Sequence, residues 1–222
     1  MIEAVLPSAV ASAETRGRLA AIELSPIEAD CLGDAVERRR EEFVTGRACA
    51  RRALERLGTE VVAIGAGERG EPLWPAGVVG SITHCPGYCA CAVARSDEIA
   101  AVGIDAEPHD ALPDGVLDAI SSRDERIRIA EGPGHLHMDR LLFSAKEALY
   151  KVWYPLTGQS LGFEDADVVI DPLTDPLTGT FSACVLASVP TCRIHGRWRV
   201  EDGIVVTAAF VPHPGPGRVE TA

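Results

Sequence analysis

Asp105 and Glu107 are the residues of this sequence best placed to do chemistry. They close an apolar run over residues 99–104 and are separated only by Ala106. Side chains along a strand alternate between faces, so both carboxylates share one. Neighbouring carboxylates repel unless a proton or cation lies between them. A hard cation such as Mg²⁺, which takes one or two carboxylates plus phosphate oxygens, is one natural partner. The plain alternative is that both acids begin a solvated loop before Pro108.

Three further groups carry chemical potential. Arg140, Ser144, Glu147 and Lys151 follow one another at spacings of four, three and four, a polar stripe on a helix. Glu147 and Lys151 are either partners of the acidic pair or an ordinary i,i+4 ion pair. Arg38, Arg39, Arg40, Arg47, Arg51, Arg52 and Arg56 lie within one helical stretch. Ion pairs with Glu37, Glu41, Glu42 and Glu55 account for some of them, and an anionic ligand would account for the rest. His84, beside Ser81 and Thr83, is either a phosphate donor or a satisfied structural histidine.

The elements that must position these groups follow from pattern. A strand is expected near residues 20–24. Ser25-Pro-Ile-Glu28 has the form of a reciprocal helix cap. A long helix then starts near Asp34 and Glu37 and stops at Gly58. Strands are expected at 61–64, 78–84, 88–94 and 99–104. The segment 108–138 reads as a long connection with a short helix at 116–121, and such connections tend to be functional. Leu112, Val116, Leu117 and Ile120 look exposed there and suggest a docking surface. A second long helix spans 139–154 and stops at Pro155. Four strands follow, at 166–171, 181–187, 194–200 and 204–211, and the proline-rich 212–222 is expected to be disordered.

Composition narrows the classes. The chain has 222 residues, 46% hydrophobic, enough for a substantial core. Its net charge of −12 argues against a general nucleic-acid binder. No apolar run suggests a membrane span, and the start of the chain lacks the pattern of a secretory signal, so a cytoplasmic protein is expected. Seven cysteines, an odd number, then read as reduced thiols. Cys85, Cys89 and Cys91 lack the paired spacing of a zinc site and read as strand packing.

Taken in order, Ser81-Ile-Thr-His84, Val102-Gly-Ile-Asp105-Ala-Glu107 and Phe143-Ser-Ala-Lys146-Glu147-Ala-Leu-Tyr-Lys151 form a familiar set. The chain resembles the 4′-phosphopantetheinyl transferases of the surfactin-synthetase-activating type. It is especially similar to actinobacterial members with Gly-Ile-Asp-Ala-Glu-Pro and Gly-Glu-Pro-Leu-Trp-Pro. The resemblance implies an α+β fold of two pseudo-symmetric α/β halves, a monomeric pseudo-dimer. The N-terminal half would be residues 1–103 and the C-terminal half 104–211, with coenzyme A and Mg²⁺ bound between them. It implies transfer of the phosphopantetheine arm of coenzyme A to a serine of an apo acyl or peptidyl carrier protein, releasing adenosine 3′,5′-bisphosphate, as in a holo-[acyl-carrier-protein] synthase. Asp105, Glu107 and Glu147 would hold Mg²⁺, with Glu147 and Lys151 catalytic. Thr83, His84, Lys146 and Lys151 would meet phosphate oxygens, and Arg39 and Arg47 the 3′-phosphate. Relatives often have Gly-Lys-Pro where this chain has Gly70-Glu71-Pro72, so either Arg69 would supply the missing cation or the loop would contact the ligand through backbone groups. Two rival readings share the same anion site: a non-catalytic nucleotide-binding protein and a Mg²⁺-dependent pyrophosphate hydrolase.

Overall fold

The computed structural model describes residues 1–17, 22–33, 35–172, 175–186 and 192–213. Strand β1 (Val10–Arg16) comes first, followed by the short helix α1 (Pro26–Asp30) and the long helix α2 (Glu37–Leu57). A two-stranded ribbon of β2 (Gly65–Ala66) and β3 (Pro72–Leu73) leads to the hairpin of β4 (Val78–Cys85) and β5 (Tyr88–Arg95). Next are β6 (Ile99–Pro108), α3 (Val116–Ile120), α4 (Arg123–Ala130) and the second long helix α5 (Met138–Thr157). Strands β7 (Ala166–Pro172), β8 (Thr178–Val185), β9 (Cys192–Glu201) and β10 (Ile204–Pro212) complete the chain.

Two antiparallel sheets result, ordered β1-β5-β4 and β6-β10-β9-β8-β7. Each carries one long helix, which gives the expected α+β pair of halves. The sheets part between Arg95 and Ile99, so a boundary at 103/104 would cut β6. Three apolar clusters hold the fold. One lies under α2, where Ala50, Ala53 and Leu54 meet Cys89, Cys91 and Val93 of β5. This confirms the cysteine strand as packing. A second lies under α5, where Leu141, Ala145 and Val152 meet Ala101 and Ala209. The third sits between the sheets and takes Ala90, Ala92 and Ala94 from one and Val102, Ile104 and Ala106 from the other.

Alternation along β6 now has a definite meaning. Residues 102, 104 and 106 are spent between the sheets, so 101, 103, 105 and 107 face α5. Gly103 makes that approach close: a Cβ there would lie 2.1 Å from the Ala148 carbonyl oxygen and 3.0 Å from Lys151. The missing side chain thus lets α5 set Glu147 and Lys151 against the acidic end of β6.

Several expectations are corrected. The first strand is β1, not residues 20–24, of which 20 and 21 lie outside the described residues. Asp34 also lies outside them, and Val36 occupies the cap position of α2 without a side-chain cap. Residues 61–64 form no strand: the Ile64 N–H is taken by Glu28 and its carbonyl by Arg47, which leaves no ladder to join. Helix α5 runs through Pro155 and ends at Gly158, in the left-handed conformation at φ 67°, as α2 ends at Gly58 with φ 72°. The docking segment is largely inward: Ile120 is buried and Leu117 packs on the α5 cluster. The tail expected from 212 is strand at Pro212, and 214–222 lie outside the described residues. Among the described residues no helix is long and apolar enough to cross a membrane.

Candidate active site

The two sheets meet edge to edge at β4 and β6, and hydroxyls replace the backbone ladder there. Ser81 Oγ accepts the N–H of Ile104 at 3.1 Å, and Thr83 Oγ1 accepts that of Ala106 at 3.0 Å. Thr83 then donates its own proton to Asp105 Oδ1 at 3.3 Å. Lys151 Nζ donates to the same oxygen at 2.9 Å and to the Ile104 carbonyl at 3.0 Å. Asp105 is therefore clamped from both halves. Its second oxygen, Oδ2, is buried and has no hydrogen-bond partner.

Glu107, two residues along the same face, accepts from Arg140 Nη1 at 2.9 Å. Arg140 also donates to the carbonyls of Asp110 and Ala111, fixing the exit from β6. The Glu107 carboxyl is still pushed above the usual carboxylate range, by burial first and by the charge of Asp105 next, against the pull of Arg140 and Lys151. Glu147 is shifted the same way by burial and then by Asp105, with Lys151 opposing. Lys151 thus does not by itself keep Glu147 readily ionised. Both glutamates feel Asp105, so the three acids share one neighbourhood.

Among the described residues no three His, Cys, Asp or Glu side chains stand close enough together to hold a metal as they are. The donors nevertheless suit a hard divalent cation. All are carboxylate oxygens, one is buried without a partner, and the two glutamates are shifted upward by burial and then by the charge of Asp105.

Beside these acids opens a cavity of about 730 Å³, lined from both halves by Arg39, Arg47, Arg69, His84, Glu147 and Lys151. Arg39 Nη1 lies 3.2 Å from His84 Nε2, so that ring nitrogen serves as acceptor. Burial lowers the His84 pKa; Glu42 opposes this, and Arg39 and Lys151 reinforce it, which favours the neutral ring. Arg47 is buried under Phe43 and gives its Nε and Nη2 to the carbonyls of Ile64 and Gly65, at 2.8 and 3.1 Å. Arg69 reaches across to α5 and lies 5.4 Å from the Tyr154 ring centre. Glu71 turns back on its own loop and accepts the Arg69 backbone N–H at 3.0 Å. Arg69 is therefore the cation that this loop offers.

Besides Arg47, two expected ligand contacts are occupied internally. Lys146 is buried and donates to Glu125 and to the carbonyls of Ile120, Phe163 and Ala166, at 2.7–3.2 Å. Lys146 and Lys151 are five residues apart, about 140° around a helix, so they cannot serve one site alike. Thr83 is likewise buried and spent on β6. Arg140, Ser81 and Glu42 are site residues to which motif reading assigned no role of their own. Arg140 stood there as the first member of the α5 stripe, Ser81 as the start of the motif ending at His84, and Glu42 as an ion-pair partner of the arginines. Next to Glu147 lies a smaller cavity, of about 210 Å³, walled by Tyr150, Leu161 and Phe163.

Comparison with known proteins gives a consistent set of relatives. The chain matches the 4′-phosphopantetheinyl transferase N-terminal domain over residues 28–94 and the 4′-phosphopantetheinyl transferase superfamily over 101–201. The break between the two matches falls where the two sheets part. The 4′-phosphopantetheinyl transferase Npt of Nocardia iowensis is 46% identical over 218 residues, 94% of this chain and 98% of that protein. PptT of Mycobacterium tuberculosis, a 4′-phosphopantetheinyl transferase, is also 46% identical, over 94% of this chain and 96% of its own. Enterobactin synthase component D of Salmonella typhimurium is 35% identical over 83% of this chain and 79% of its own.

Proposed function

This chain belongs to the 4′-phosphopantetheinyl transferase superfamily, and from that premise we propose how its residues carry out the family's reaction. The reaction moves the phosphopantetheine arm of coenzyme A onto a carrier-protein serine and releases adenosine 3′,5′-bisphosphate. The observation that carries the reading is the meeting of opposite charges at one junction. Glu107 and Glu147 both feel the charge of Asp105, beside a cavity that Arg39, Arg69, His84 and Lys151 line and that is large enough for a nucleotide.

In this reading Asp105, Glu107 and Glu147 hold Mg²⁺, with Asp105 offering its unpartnered Oδ2. Bound there, the ion would offset charge on the pyrophosphate. Arg39 and Arg69 hold the nucleotide end, with Arg47 fixing the wall behind them. His84 and Lys151 donate to the phosphates. Glu147 takes the proton of the carrier serine as its oxygen attacks the β-phosphorus. The bond from that phosphorus to the nucleotide oxygen breaks, and Lys151 neutralises the departing bisphosphate. A carboxyl held above its usual range suits a base that must accept a proton near neutral pH.

We read the chain as a cytoplasmic monomer acting on acyl or peptidyl carrier domains. Its first half would serve mainly the nucleotide and its second half the acids. The test is mass spectrometry of apo acyl- and peptidyl-carrier domains incubated with the protein, coenzyme A and Mg²⁺. A gain of the phosphopantetheine mass is expected on at least one. No gain on either, with cleavage of coenzyme A or with simple binding, selects the hydrolase or the nucleotide-binding protein instead. Glu147→Gln should bind coenzyme A normally and transfer at least about 10²-fold more slowly. Transfer near the wild-type rate would move the base elsewhere.

A further inference from the structure

Glu42 has no part in the reading above, yet it lies among the cations that do. It is on α2, lines the larger cavity and has its side chain 24% exposed. Its Oε1 accepts from Arg38 Nε at 2.9 Å. Its Oε2 lies 3.9 Å from Arg39 Nη1 and 3.7 Å from His84 Nε2. Arg38 and Arg39 are its neighbours one turn back on its own helix, whereas His84 belongs to β4, so the contact spans two elements. Asp105 and Lys151 also act on His84. A carboxylate beside a polyanion site opposes the ligand through space while occupying the Arg39 cation meant for it.

We infer that Glu42 is a resident counter-ion, holding Arg39 beside the neutral His84 ring until a ligand phosphate takes its place, and so setting how much negative charge a ligand must carry to enter. This rests on the coenzyme A reading of the cavity. The displaced carboxylate has somewhere to go: Arg38 is 81% exposed and already bonded to its other oxygen. The exchange swaps one anion for a more highly charged one at the same cations. Weakly charged anions gain little from it, and a pyrophosphate or phosphomonoester gains more.

The test compares the whole chain with its Glu42→Gln variant, each titrated with coenzyme A, 3′-dephospho-coenzyme A and inorganic pyrophosphate at low and high salt. Glu42→Gln should bind coenzyme A about two- to fivefold more tightly, the scale of a partly exposed charge pair. Its binding should also depend more steeply on salt, because its cations start out unneutralised. Equal or weaker binding by a variant with an unchanged thermal transition overturns the inference and leaves the transferase reading standing. Should Glu42→Gln fail to fold, Glu42→Asp keeps the charge but withdraws it from Arg39 and His84. Tighter binding by Glu42→Asp supports the inference, and equal or weaker binding overturns it. If the wild-type chain does not bind coenzyme A, the functional reading fails as well.

Discussion

Ser25 and Glu28 in the first half, and Ser122 and Glu125 in the second, close the same reciprocal cap at the start of a short helix. Each glutamate is fully buried and bonded twice more. Glu28 accepts the Ile64 N–H at 3.2 Å and Arg51 of α2 at 2.6 Å. Glu125 accepts the Val168 N–H at 2.8 Å and Lys146 of α5 at 2.8 Å. One device thus ties a short helix, the long helix and the segment after it, once in each half. The difference lies in what the rest of each half presents. The first turns arginines of α2 toward the junction, and the second turns β6 carboxylates and Glu147. A common frame thus sets opposite charges against each other at the junction, the arrangement on which the proposed coenzyme A site draws.

The equivalence of the two devices is broken most directly by removing each carboxylate. Glu28→Ala and Glu125→Ala should each cost roughly 3–5 kcal/mol, because a basic group and a backbone N–H lose their partner inside the core. Denaturant unfolding measures both. If either variant loses under about 1 kcal/mol, its device is not structural in the same sense. Glu125→Ala should also depress transfer more than Glu28→Ala, since Lys146 precedes Glu147 on α5.

That repeat was half legible in the sequence. Ser25-Pro-Ile-Glu28 showed itself as a cap, and Ser122-Arg-Asp-Glu125 has the same form but was passed over inside a segment read as a connection. Lys146 beside Glu147 looked like a ligand residue until the helix turned it to the other side. The strand alternation that joined Asp105 to Glu107 was readable because period two is strict. The face it chose was not, because that depends on Gly103 admitting α5. Strand β1, Val-Ala-Ser-Ala-Glu-Thr-Arg, was missed because its buried positions are mostly small residues. The 61–64 stretch failed as a strand because side chains from distant segments took its hydrogen bonds.

The arginine side of the comparison is sharpened by two substitutions that the structure separates. Arg39 is 55% exposed and faces the cavity beside His84, so Arg39→Ala should weaken coenzyme A by roughly 10-fold or more at unchanged stability. Its effect on 3′-dephospho-coenzyme A should be much smaller. Arg47 is buried and holds two backbone carbonyls, so Arg47→Ala should lower stability by about 1–3 kcal/mol whatever ligand is present. Equal weakening of both ligands by Arg39→Ala would give Arg39 a structural role too.

The smallest effect separates carboxylates that stabilise the fold from those that serve the cavity. Glu28 is held below the usual range: burial raises it, but the N–H groups of Ser25 and Ile64 and the charge of Arg51 more than offset that. A lowered carboxyl contributes stability above its unfolded pKa and loses it as pH falls through the folded value. Glu107 and Glu147 are raised, so their sign is opposite. Their contribution is fully present below the unfolded value of about 4.3 and is lost as pH rises through the raised folded values. Whatever charge they carry at pH 7 without metal is carried at the expense of the fold. Glu147→Gln removes one of these charges at nearly constant volume. If about 1 kcal/mol of burial and repulsion is relieved, its thermal midpoint without metal should exceed that of the wild type by roughly 2–4 °C at pH 7. The gap should narrow as pH falls from the raised pKa of Glu147 toward about 4.3, because the wild-type carboxyl then takes up the proton that the amide imitates. Saturating Mg²⁺ should narrow it from the other side, by stabilising the wild type more than the variant. A gap that stays constant from pH 7 to pH 4.5 would mean that Glu147 is not strained by its neighbours, and the charge contrast between the halves would then rest on Asp105 and Glu107 alone.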